Sequence, residues 1–150
     1  MTSLQALLDE RDITQGLGRF ARLIDGKRWD ALGEVFAADL TFNYGAGEQA
    51  GLEALRTTMR RFLDVCGATQ HLIGSIIVEI AGDQAVSRAY VQARHQGKGD
   101  PAGAVFDSSG EYVDRWARRP EGWRIIRREA AWQMHTGDPA ILQADRAELG

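Results

Sequence analysis

A single cysteine, Cys66, leaves this 150-residue chain without any internal disulfide. A thiol that stays unpaired suits the reducing cytoplasm, and that is the expected compartment. Long apolar runs are missing too: nothing approaches the ~20 residues needed to cross a bilayer. The start of the chain, MTSLQALLDERD, carries acids where a secretory leader would have a basic and then an apolar region. No membrane is therefore expected as a partner. Charge of one sign is scarce, with 18 Lys and Arg against 21 Asp and Glu and a net charge of −3. A surface that tracks phosphates is strongly basic, so no nucleic acid is expected. The Arg-rich stretch 115–128 is the exception; it reads as a solvated strand face first and as an anion site second. Three scattered histidines and one cysteine show no ligand spacing, which gives no reason to expect a metal.

What is present is ordinary for a globular protein, with 44% hydrophobic and 26% charged residues. The length suits one domain, 1–150, able to bury a core and hold a pocket. Leu4, Leu7 and Leu8 share a helical face, with Ser3 as the cap. Asp12 is placed to cap a second helix carrying Ile13, Leu17, Phe20, Ala21 and Ile24 on one stripe. Gly16 and Gly18 weaken that helix but would let another element approach closely. Asp25-Gly26 ends it. A third short helix points Trp29, Leu32, Val35 and Phe36 inward.

The period then changes. Leu40, Phe42 and Tyr44 alternate with Thr41 and Asn43, which predicts a strand. Gly45 to Gly51 reads as a turn, and Leu52 to Val65 as a helix through Leu55, Met59, Phe62 and Leu63. Four strands follow: His71 to Ile80, Gln84 to Gln96, Glu111 to Arg119 and Gly122 to Gln133. Tight turns join them at 81–83 and 119–122. Gly97 to Gly110 reads as a loop at a pocket mouth, and the polar tail allows a short helix from Ala140 to Glu148. Helices first and antiparallel strands last make an α+β architecture. A curved antiparallel or mixed sheet against N-terminal helices would enclose a cone-shaped interior, a natural small-molecule site.

This order of elements resembles the nuclear transport factor 2-like superfamily, and within it the SnoaL-like branch. That branch includes scytalone dehydratase, a bacterial bile acid dehydratase and hexachlorocyclohexane dehydrochlorinase. The residues that carry the resemblance are RLIDGKRWDALGEVF at 22–36, ADLTFNY at 38–44, TQH at 69–71 and GWRII at 122–126. In the catalytic members an aspartate at that helix end partners a histidine at that strand start, and the histidine acts as base. Asp25 and His71 stand at those two positions. The resemblance also implies a pocket tyrosine at Tyr44. It places Arg94 where the bile acid enzyme has an acid, and Phe20 where that enzyme has a tyrosine. Phe20, Phe42 and Arg94 are accordingly expected to contact substrate, with Leu63 and Val91 in pocket or core. Family members form dimers or trimers, so a homodimer or homotrimer is expected.

The chemistry is coherent by itself. A neutral imidazole takes a proton near neutral pH. A buried carboxylate on its other nitrogen fixes the tautomer and stabilises the imidazolium that forms, as in a hydrolase triad. No cofactor is required. The implied activity is that of a lyase or isomerase acting on a small apolar, cyclic or polyketide-like molecule. Arg94 facing inward would stabilise an enolate. His95 has the opposite strand parity, so only one of the two faces the cavity, and Arg94 is the expected one. Tyr44 or His95 is left to supply the acid for a leaving group. The alternative is a non-catalytic ligand-binding or assembly module, like the small subunit of aromatic-ring dioxygenases; a filled cone would mark it. Trp29, Phe36 and Trp123 are expected in the core, Trp116 and Trp132 on an outer face at a subunit contact, Cys66 as a small buried hydrophobe, and His135 exposed and inert.

Overall fold

The computed structural model describes residues 3–99 and 103–142. One continuous helix, α1 (Leu4–Asp25), stands where the sequence suggests two. Ser3 does cap it, its Oγ accepting from the Ala6 backbone N–H at 3.1 Å, a contact worth ~1 kcal/mol. Asp12 caps nothing; it lies exposed in mid-helix and accepts from Arg11. Ile13, Leu17, Phe20 and Ile24 are all buried along one stripe, and that burial carries the helix through its two glycines. A two-turn 3-10 helix (Trp29–Glu34) follows. Phe36, expected to end that helix, instead opens β1 (Phe36–Asn43) and is still core.

The remaining elements are β2 (Gln49–Ala50), α2 (Leu52–Leu63), β3 (Thr69–Ala81), β4 (Gln84–Gln96), β5 (Val105–Arg119), β6 (Gly122–Gly137) and a 3-10 turn at Pro139–Leu142. The last of these begins the helix expected at 140–148, the rest of which lies outside the described residues. The sheet order is β2-β1-β6-β5-β4-β3, with β1 parallel to β6 and every other pair antiparallel. The sheet curves around α1 without closing into a barrel. The expected α+β cone is thus the observed one. No helix among the described residues is long and apolar enough to cross a membrane.

The largest departure is in the segment read as a loop from 97 to 110. β5 already begins at Val105, opposite Gln96 of β4. Its first residues, VFDSSG, have weak strand character, and the partner strands on both sides supply the hydrogen bonds that order them. The pairing with β6 slips by one residue at Gly110. There a Cβ would lie 2.4 Å from the Ala131 carbonyl oxygen, so the close approach requires glycine. Trp116 corrects another expectation. It is 1% exposed rather than on an outer face. Its ring lies against Gly16 of α1 and its indole N–H donates to Ser87 Oγ at 2.8 Å.

Candidate active site

Asp25 is the last residue of α1, where the negative end of the helix dipole disfavours a carboxylate. Three donors from β3 compensate. Thr69 and His71 lie two apart on that strand and so face the same way. The Thr69 hydroxyl donates to Oδ1 at 2.8 Å, and His71 Nδ1 lies 2.7 Å from the same oxygen. The His71 backbone N–H donates to Oδ2 at 2.9 Å. That N–H is available because β3 is the edge of the sheet and pairs on one side only. Burial pushes the Asp25 carboxyl up, but the hydrogen bonds from the His71 side chain and backbone outweigh it and hold the group below its ordinary value. An ionised carboxylate only accepts, so Nδ1 of His71 carries the hydrogen, and in the neutral ring Nε2 is the atom with the lone pair.

His71 forms part of the wall of a cavity of about 210 Å³ inside the cone. Ile24, Met59, Phe62, Leu63, Ala93, Phe106, Trp132 and Leu142 give it an apolar surface. Polar atoms come from Tyr44, Thr58, His71, His95, Ser108, Tyr112 and His135. The His71 and His95 rings meet edge to face, 5.7 Å between centroids. His95 Nδ1 lies 2.8 Å from the Phe106 carbonyl oxygen. Burial lowers the His95 pKa against the opposing pull of that carbonyl, which favours a neutral ring. Ser108 Oγ lies 3.0 Å from Nδ1 of His135, whose ring stacks on Phe106 at 5.5 Å.

Behind Tyr44 and Tyr112 sits a fully buried ion pair. Arg128 donates through Nε and Nη2 to Asp114 at 2.7 and 2.8 Å, and through Nη1 to the Tyr44 oxygen at 3.2 Å. Its guanidinium also lies 4.1 Å from the Phe20 ring centre and 3.9 Å from that of Tyr112. Burial alone would lower the Arg128 pKa, but the Asp114 charge reverses this and raises it. Burial raises both tyrosines above the ordinary phenol value, so both hydroxyls keep their hydrogens.

Of the residues singled out from the sequence, Asp25 and His71 are in contact, and Tyr44 and Leu63 join His71 at the cavity. Arg94 does not face it: its side chain is 70% exposed and pairs with Asp107 on the outer face. The inward residue is His95, in phase with the buried Ala85, Ser87, Ala89, Val91 and Ala93. That alternation was present in the sequence and is the signal that identifies His95. Phe20 and Phe42, expected against substrate, are core residues with 0% exposure, as is Val91 at 1%. Phe20 packs edge-on to Phe36 and Tyr112, and Phe42 to Tyr44. Trp132 lines the cavity, and His135 is exposed but stands at the cavity's edge. Arg128 is not part of a solvated face; its charge is matched inside the protein. Ser108 carried no local signal, because residues 105–110 read as loop; Tyr112 and Asp114 lie in the expected strand 111–119 but in phase with Trp116, whose expected place on the outer face pointed them the wrong way.

A cone-shaped α+β domain with a histidine-lined cavity is the class this geometry defines. The chain belongs to the SnoaL-like domain family, whose model matches residues 5–129. It is 31% identical over 130 residues to an uncharacterized protein of Mycobacterium tuberculosis, covering 85% of this chain and 88% of the relative. Its fold matches that of a Novosphingobium aromaticivorans protein assigned as a scytalone dehydratase (TM-score 0.79, 21% identity, 88% of this chain and 89% of that one). It also matches LinA, a hexachlorocyclohexane dehydrochlorinase (TM-score 0.80, 17% identity, 96% and 99%).

Proposed function

We propose that the protein is a cofactor-free lyase or isomerase in which His71 is the general base. The observation that carries this is the 2.7 Å contact between His71 Nδ1 and Asp25, with His71 in the wall of an apolar cavity. Nε2 takes an acidic C–H proton, and Asp25 stabilises the imidazolium that results. The Tyr44 hydroxyl polarises the substrate's oxygen or leaving group. Loss of water or halide, or a double-bond shift, completes the turnover. The names of the structural relatives, a dehydratase and a dehydrochlorinase, support an elimination. An assembly module would fill its cone with side chains, so the open cavity also favours the enzyme reading. We place the protein in the cytoplasm, as a single domain acting as a homodimer or homotrimer on a small apolar molecule.

The test is a screen of cyclic ketones, alcohols and halides against the wild type and His71→Ala. Turnover lost in the variant with its circular dichroism unchanged supports the base. Equal turnover in both removes His71 from the role.

A further inference from the structure

Asp25 spreads three donors unevenly over its two oxygens. The Thr69 hydroxyl and His71 Nδ1 share Oδ1, at 2.8 and 2.7 Å, while Oδ2 takes only the His71 backbone N–H at 2.9 Å. Each carboxylate oxygen offers about two lone-pair sites, so Oδ1 is full and Oδ2 has one site left. Thr69 and the imidazole therefore draw on the same electrons, and each weakens the bond the other makes. Thr69 reaches this oxygen from outside the cone. It lines a groove of about 720 Å³ between α1 and β3, together with Arg22, Asp25 and His71. Of these four, His71 alone also lines the cavity inside the cone. The Asp25 side chain, 20% exposed, is thus solvated from the outer groove.

We propose that Thr69 is a positioning residue for the base: its hydroxyl occupies Oδ1 beside Nδ1 and so limits how strongly Asp25 holds the imidazolium. This rests on the reading of His71 as base given above, but the claim about Oδ1 is measured without substrate. A hydrogen bond to a carboxylate favours its charged form and makes it a weaker acceptor toward other donors. Burial pushes the Asp25 carboxyl up, and the bonds from His71 and Thr69 bring it down. With the hydroxyl gone, Oδ1 serves Nδ1 alone, the imidazolium is stabilised more, and the base parts with its proton less readily. The other charged or titratable groups around the dyad stay in place when only Thr69 is changed. Arg22 of α1 stands in the outer groove, His95 of β4 meets the His71 ring at 5.7 Å, and Lys27 donates to the Cys66 carbonyl oxygen at 2.9 Å.

A carbon NMR titration of the Asp25 carboxyl in the ligand-free protein tests it. Thr69→Val puts a methyl in place of the hydroxyl, on a strand that suits a branched side chain. Its Asp25 carboxyl should titrate about half a pH unit or more above that of the wild type. Thr69→Ser keeps the donor and should titrate with the wild type. A merely structural Thr69, tying α1 to β3, would lower the unfolding midpoint in Thr69→Val and leave the titration where it was; that result overturns the proposal, as does an equal shift in Thr69→Ser. If Thr69→Val does not fold, Thr69→Ala is read by the same rule. With a substrate from the screen, the acid limb of kcat/KM should move to higher pH in Thr69→Val at unchanged KM, because Thr69 lies outside the cone. A limb that stays in place overturns the link to the base. A raised carboxyl with turnover unchanged in His71→Ala would remove the base and leave the control of Oδ1 standing. An unmoved carboxyl with turnover that needs His71 would do the opposite.

Discussion

Asp25 grips His71 at two points, one carboxylate oxygen on the ring at 2.7 Å and the other on the backbone N–H at 2.9 Å. The same side chain thus ties the end of α1 to the edge of β3 and sets the tautomer of the imidazole. The anchoring of α1 and the proposed chemistry are thus coupled through one residue.

Asp25→Asn separates the two contributions. An amide offers one acceptor atom where the carboxylate has two, and no charge to stabilise an imidazolium. Turnover of whichever compound the screen identifies should fall ~10⁴-fold, the scale seen when an orienting aspartate is lost from a hydrolase triad. Circular dichroism should stay native. A rate within threefold of wild type would show that the carboxylate does not orient the base.

Gly16 and Gly18 should respond in opposite directions to alanine. A Cβ at Gly16 would lie 2.9 Å from Cη2 of the buried Trp116, whereas one at Gly18 meets nothing within 4 Å. Gly16→Ala should cost about 1–3 kcal/mol through overpacking. Gly18→Ala should gain up to ~1 kcal/mol from helix propensity. Urea unfolding of the two variants measures both, and equal shifts would contradict the packing of α1 on β5.

Breaking the buried ion pair should cost more than replacing it. Arg128→Met leaves the Asp114 carboxylate buried without its cation and should destabilise by about 3–5 kcal/mol. Arg128→Met/Asp114→Leu leaves no unpaired charge and should be markedly milder. Thermal and urea midpoints report the difference, and a double variant as unstable as the single would refute the account.

Acid should weaken the fold through His95 before it reaches the carboxylates. Folded His95 has a pKa below its ordinary value of 6.5, because burial disfavours the imidazolium. The unfolded chain therefore binds this proton first, and stability drops as pH falls below about 6.5. His71, Asp107 and Asp25 are the charged or titratable groups that act on it. Asp25 contributes in a separate range: its lowered pKa adds stability that is complete above the ordinary value of 3.8 and lost as pH falls through the lowered one. Urea midpoints between about pH 7 and about pH 5 should fall in the wild type and fall less in His95→Leu. Parallel curves would remove His95 as the source.

The residues of the dyad were legible because each sits at a point that local sequence marks. Asp25 precedes the glycine that ends a helix, and His71 opens an apolar strand. Their relation to one another came only with the family resemblance. Arg94 was misjudged on the same ground. An alignment by resemblance put it inward, while the alternation of alanines and valine in β4 puts His95 there. The period of two is a property of the strand itself, and it overrides a distant analogy.

The sequence alone determined which segments are helix and which are strand wherever a segment carries its own apolar period, as α1, α2 and β4 do. It also determined the α+β order and the two residues at the centre of the site. Tertiary structure decided the rest. It made one helix of two by burying a common stripe, ordered VFDSSG by supplying partners on both sides, and closed Arg128 in with Asp114 and Tyr44. Those outcomes depend on which face meets which across the curved sheet. Such pairings join residues as far apart as 44 and 128, and no local pattern encodes a contact whose partner lies that far along the chain.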